Sequence, residues 1–175
     1  PKSLLYLKKF VPRSLERSDR IIAISEFTRK ELVTFFSVPE NKIKIIYGGV
    51  DDVFRKLATP DELIRVKYQY NLPERYVLTV ATWEPRKNLV NLLHAWRSLS
   101  AEGKSEDYKL VLVGMKGWLY NEIEQEFLTK AGRRGVKILG YIPRNFLPVV
   151  YRGSDCFVFP SLYEGQGLPP LEAMA

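Results

Sequence analysis

From about residue 18 onward, short apolar runs rich in Val, Ile and Phe alternate with longer stretches whose apolar positions recur at helical spacing. This alternation is the pattern of repeated βα units and predicts an α/β fold with a Rossmann-like parallel sheet. Strands are expected at 20–24, 43–46, 76–81, 108–113, 136–139 and 155–159, each followed by a turn signal or a helical stretch. The clearest helix spans 88–99: Leu89, Leu92, Leu93 and Trp96 fall at i, i+3, i+4 and i+7, and Asn88 stands where it can cap the first amides. The apolar stripe of that helix must pack on the sheet.

The connection Gly48-Gly49-Val50-Asp51-Asp52, followed by Phe54 and Pro60, is rich in structure breakers and reads as a boundary. Residues 1–50 are expected to close one domain and supply the linker. Residues 51–175 are expected to form a second domain, with 61–70 an exposed helix between the two. The last residues, 169–175, read as the opening turns of a helix without a C-cap, so the second domain is expected to be incomplete.

Composition supports a globular chain. Of 175 residues 46% are hydrophobic, enough for one core that buries roughly two-thirds of the unfolded surface. The longest aliphatic run, Leu110–Val113, is far short of the roughly 20 residues a membrane span needs, and no charged-then-apolar leader opens the chain. A cytoplasmic location is expected. The single cysteine, Cys156, excludes an intrachain disulfide and a thiolate metal site, and its apolar neighbours predict a buried small hydrophobe.

The net charge of +7 would suit a nucleic acid or an anionic membrane. The excess is largely N-terminal: residues 1–50 carry ten basic against five acidic side chains, the remainder seventeen against fifteen. The pairs Lys8-Lys9, Arg29-Lys30, Arg86-Lys87 and Arg133-Arg134 are scattered, and no aromatic-basic signature accompanies them. No nucleic-acid partner is expected. Peripheral attraction of the N-terminal part to the cytoplasmic face of an anionic membrane stays open.

Several chemistries lose their warrant by absence. The chain has no G-x-G-x-x-G after a strand, no P-loop, no G-x-S-x-G, no H-E-x-x-H and no D-x-D. The only histidine, His94, sits beside Leu93 and Trp96 in a helix and reads as a packing or surface residue. Asp51-Asp52 lies in the hinge turn, and Glu122-Ile123-Glu124-Gln125-Glu126 reads as a solvated helix face rather than a metal site.

Two segments remain, both at C-terminal ends of expected strands, where open α/β sheets bind ligands. In Trp83-Glu84-Pro85-Arg86-Lys87-Asn88, two permanent cations precede a helix N-terminus, an arrangement that suits an anion as well as it suits an ordinary basic loop. In the segment from Phe159 to Ala175, Gly165 and Gly167 allow close backbone approach and Pro169-Pro170 starts a helix. Two carboxylates flank that turn. Glu172, in the first helical turn, can either accept hydroxyls of a ligand or simply complement the helix dipole. Glu164 stands at the loop tip.

At this second segment the chain resembles the family 4 glycosyltransferases, retaining enzymes of the GT-B fold marked by two glutamates separated by seven residues, as Glu164 and Glu172 are. Pro160-Ser161-Leu162-Tyr163-Glu164-Gly165 and Leu168-Pro169-Pro170-Leu171-Glu172-Ala173-Met174-Ala175 match the family pattern. So do Glu84-Pro85-Arg86-Lys87-Asn88, Leu110-Val111-Leu112-Val113-Gly114 and Gly140-Tyr141. Asp19-Arg20-Ile21-Ile22-Ala23-Ile24-Ser25 and Tyr47-Gly48-Gly49-Val50-Asp51 look like the end of the family's N-terminal domain and its linker.

The resemblance implies a nucleotide-sugar-binding C-terminal domain that transfers a sugar to a polysaccharide or lipid-linked acceptor without a metal or other cofactor. Glu164 would be the catalytic carboxylate, touching the transferred sugar, and Glu172 would hold the ribose. Lys87 with Arg86 would neutralise the diphosphate. The amides around Gly165, Gln166, Gly167 and Leu168 would face sugar and phosphate, and the backbone near Tyr141 and Ile142 the base. The motif wording is most similar to the mannosyltransferase branch, which makes GDP-mannose the first donor expected.

Three departures from the family stand out. Ala81-Thr82 occupies a place where an Arg is often found, and Gln166 stands where Phe is usual. The acceptor domain is nearly all missing, so the chain alone is expected to transfer no sugar and to self-associate through an exposed sheet edge. A non-catalytic nucleotide-sugar-binding relative and an anionic-surface module are the alternatives.

Overall fold

The computed structural model describes residues 2–129 and 134–175; Arg133 of the basic pair Arg133-Arg134 lies outside the described residues. The chain falls into two units, Pro1–Gly49 with Gly165–Gly167, and Val50–Glu164 with Leu168–Ala175.

The first unit consists of helix α1 (Lys2–Arg17), strand β1 (Ile21–Ala23), helix α2 (Glu26–Phe36) and strand β2 (Ile43–Ile45). The strands pair in parallel, Ile21 opposite Ile43 and Ala23 opposite Ile45. Ser25, in extended conformation, caps α2 by accepting from the Thr28 amide at 3.0 Å. At the other end Ser37 turns left-handed (φ 52°) and returns its amide to the last carbonyls of α2, which closes that helix. Both strands fall inside the segments their apolar runs predict.

The second unit is built on four parallel strands, β3 (Tyr76–Val80), β4 (Lys109–Val113), β5 (Val136–Gly140) and β6 (Cys156–Phe157), in the order β5-β4-β3-β6. Before, between and after them run α3 (Pro60–Gln69), α4 (Leu89–Ala101), α5 (Asn121–Leu128), α6 (Leu147–Arg152) and α7 (Leu168–Met174). The period of two along β4 sorts its side chains to opposite faces. Val111 and Val113 join Val66 of α3 and Val149 and Val150 of α6 in one core. Leu110 and Leu112 join Leu89, Leu93 and Trp96 of α4 and Ile123 and Phe127 of α5 in the other. Each fully buried Leu or Val contributes on the order of 1.5–3 kcal/mol, so the sheet is stabilised from both faces, as a parallel sheet requires.

Four expectations are corrected. The 61–70 helix is not merely exposed: α3 starts on a Thr59–Glu62 capping box and buries Val66 completely, with Leu63 packed beside it. Asn88 does not cap α4. It sits in the left-handed region (φ 58°) and its amide donates to the Pro160 carbonyl at 3.1 Å, so tertiary bonding claims the side chain. Cys156 is exposed rather than buried, because β6 is a two-residue edge strand. The acidic face of α5 is paired rather than simply solvated, Glu124 with Lys116 and Glu126 with Arg97. His94 lies at the surface as expected, 3.6 Å from Glu126.

One contact ties β3 to α6. The Tyr76 side chain is fully buried and its hydroxyl donates to the Val150 carbonyl at 2.7 Å. Burial raises the phenol above its ordinary range and keeps it a donor. A Cβ at Gly153 would stand 2.5 Å from that hydroxyl, so glycine is the residue that admits the bond. Tyr76→Phe leaves a carbonyl without its partner and is expected to lower stability by about 1–3 kcal/mol, read as a lower urea midpoint with an unchanged m-value.

Candidate functional site

The site grows from the C-terminal ends of β3 and β4, which stay zipped together beyond the strands. The Ala81 amide donates to Val113 O at 2.9 Å, Trp83 to Met115 O at 2.9 Å, and Gly117 back to Trp83 O at 3.2 Å. Gly114 makes this possible: at φ 140° a Cβ would lie 1.9 Å from the Ala81 carbonyl oxygen. The two strand ends therefore stay paired backbone to backbone as they reach the site. There a pocket of about 420 Å³ opens, whose walls include Lys87, Lys116, Tyr141, Ile142 and Pro169. Three of the sequence-predicted residues, Lys87, Tyr141 and Ile142, thus share one cavity. Ile142 is buried in the core beneath it and Tyr141 is exposed at its edge.

The two chemistry-bearing segments are sewn together. Arg86 O accepts from Leu162 N at 2.8 Å, and the Asn88 amide reaches Pro160 O. The side chains meet at Glu164. Lys87 Nζ lies 2.5 Å from Glu164 Oε1, and Arg86 Nη1 lies 3.0 Å from Oε2. Arg86 is further held by Glu84, Nε to Oε2 at 2.9 Å.

Only 8% of Lys87 is exposed, with its ammonium 5.6 Å from the Phe159 ring centroid. A cation so desolvated requires a partner, and Glu164 supplies it. Burial alone would raise the Glu164 pKa, but the hydrogen bond from Lys87 and the charges of Lys87 and Arg86 outweigh it and hold the carboxyl below its ordinary range.

Glu172 lies elsewhere on the second unit. It sits in α7, where Oε2 accepts from the Tyr151 hydroxyl at 3.0 Å. Burial, reinforced by the carboxylate, pushes that phenol up, so Tyr151 remains the donor. One oxygen of Glu172 is thereby held and the carboxylate oriented. It lines a cleft of about 310 Å³ with Phe54, Arg55 and Arg152, one turn of α7 beyond Pro169, which lines the pocket of Lys87. Gly165, Gln166 and Gly167 group with the first unit, where the Gln166 side chain accepts from Gly48 N at 2.7 Å and donates to Gly48 O at 2.6 Å. Leu168 opens α7 and is partly exposed.

Lys116 escaped the sequence reading. It lines the Lys87 pocket, pairs with Glu124 and lies 5.0 Å from the Tyr120 ring centroid. The Glu124 hydrogen bond raises its pKa and keeps it cationic. A lysine two residues after a strand-ending glycine was the available signal. Among the described residues no three of His, Cys, Asp and Glu gather as a metal site would need, and no helix is long and apolar enough to cross a membrane.

Residues 60–175 match the model of the glycosyl transferases group 1, and residues 2–54 that of Glycosyltransferase Family 4. The chain is 35% identical over 180 residues to the O-antigen chain mannosyltransferase B of Escherichia coli, covering 97% of this chain and 44% of that protein. It is 34% identical over 175 residues to the Escherichia coli serotype-specific mannosyltransferase WbdA, covering 97% of this chain and 21% of that one. Among solved structures it superposes on Anabaena HepE in complex with UDP and glucose with a TM-score of 0.73 at 20% identity, over 90% of this chain and 42% of that one. It superposes on WaaG, a glycosyltransferase involved in lipopolysaccharide biosynthesis, with a TM-score of 0.70 at 18% identity, over 89% and 41%. The chain spans less than half the length of these relatives, and its fold is that of the GT-B glycosyltransferases. A two-faced parallel sheet, a pocket at its strand ends and matching models over both segments agree: the chain belongs to the glycosyl transferases group 1 family.

Proposed function

We propose that the whole protein transfers a hexose, mannose in the first instance from GDP-mannose, to a polysaccharide or lipid-linked acceptor with retention at the anomeric carbon and without a metal. The observation that carries the reading is Lys87: a nearly buried ammonium on the wall of a strand-end pocket, with Arg86 beside it. A departing nucleoside diphosphate develops negative charge, and fixed cations in a water-poor site stabilise it. The mannose preference rests on the names of the relatives at 33–35% identity.

In this reading the remaining residues divide the donor. Glu172, oriented by Tyr151, accepts from the ribose hydroxyls with its other oxygen. The backbone at Tyr141 and Ile142 faces the base, and Glu164 faces the hydroxyls of the sugar. The amides of Gly165, Gln166, Gly167 and Leu168 approach sugar and phosphate. An acceptor must be held opposite the donor for transfer to occur, so activity belongs to the whole protein.

The division is testable by calorimetry on the whole protein. Lys87→Ala should weaken GDP or UDP binding by about 1.5–3 kcal/mol, the range for hydrogen bonds to charged groups, and leave nucleoside binding nearly unchanged. Glu172→Gln should weaken nucleoside and nucleotide alike, because a donor then faces hydroxyls that need an acceptor. Unchanged diphosphate affinity in both folded variants places the donor elsewhere.

A further inference from the structure

We infer that Glu164 is an internal counter-ion that competes with the diphosphate for Lys87 and Arg86, so that the free nucleoside diphosphate product is held more weakly than the nucleotide sugar. The inference rests on the donor reading above and adds a role in product release.

The geometry is a closed charge set. Lys87 is bonded to Glu164 at 2.5 Å, and Arg86 is shared between Glu164 at 3.0 Å and Glu84 at 2.9 Å. Two cations meet two carboxylates, and the set is neutral. Both oxygens of Glu164 are engaged, one on each cation. An arriving diphosphate therefore meets cations whose charge is already compensated, next to a carboxylate that repels it. The partial burial of this cluster makes that repulsion felt, since water screens it poorly.

The two ligands differ in what they offer Glu164. A nucleotide sugar carries hydroxyls that can donate to the carboxylate as its cations turn to the phosphate, so the carboxylate exchanges one set of donors for another. In the free nucleoside diphosphate those hydroxyls are gone and the terminal phosphate gains further negative charge, its second pKa lying near 6. The same carboxylate that accepts from the donor sugar then faces only like charge. Glu164 thus favours the substrate over the product, with Lys87 returning to it as the diphosphate leaves.

The test measures GDP, GDP-mannose, UDP and UDP-glucose binding by calorimetry to the whole protein and to its Glu164→Gln variant, which keeps shape and removes charge. The diphosphate that binds the unmodified protein should bind Glu164→Gln about fivefold or more tightly, an effect shrinking with added salt. Its sugar nucleotide should gain less or lose affinity. If thermal unfolding shows Glu164→Gln to be misfolded, Glu164→Ser replaces it, since it also removes the charge. Diphosphate affinity that is unchanged or lower in the folded variant, while Lys87→Ala still weakens it, overturns the counter-ion role and leaves the donor reading standing. Failure of all four ligands to bind the unmodified protein overturns both.

Discussion

An ammonium group taken almost out of water must find an anion, and Lys87 finds Glu164. Much of the second unit can be read as the means of bringing these two residues together across 77 positions of chain. Lys87 is delivered by β3 and a short turn before α4, and Glu164 by β6 and the loop that follows it. Those strands are neighbours in the sheet. The pair is therefore a product of parallel topology: only when β6 docks on β3 do their C-terminal loops emerge side by side, and the hydrogen bonds from Leu162 and Asn88 then fix the spacing.

The floor of the pocket and its charged wall obey different constraints. The floor is backbone, zipped from β3 to β4 past the strand ends and dependent on the absence of a Cβ at Gly114. The wall is side chain, with Lys87 held by Glu164 and Lys116 by Glu124. On the donor reading proposed above, a backbone floor beneath an exchangeable set of charges suits a site that binds a polyanion and then releases a more highly charged one.

The strands and the principal helix were legible in the chain because burial on both faces of a parallel sheet leaves continuous apolar runs, as at Leu110–Val113, and because α4 carries an uninterrupted stripe. What local reasoning could not see was who competes for a polar group. Asn88 looked like a helix cap until Pro160, far along the chain, claimed its amide. Cys156 looked buried from its apolar neighbours, but whether a strand is central or at an edge is a property of the sheet. Lys87 and Glu164 were each legible as candidates, whereas their bond was not, since nothing in either motif specifies the other as its partner. Lys116 was passed over because its strand-end glycine was read only as a family motif.

Tyr76 and Gly153 carry a consequence of another kind. The hydroxyl of one occupies the space that a methyl group on the other would need. Position 153 cannot accept a larger residue while the phenol at 76 stays in place, so change at 153 depends on change at 76. A lineage that acquires a larger residue at 153 is expected to have first lost the phenolic oxygen at 76, and the order of those two events in a set of diverged sequences would record which route the fold has been able to take.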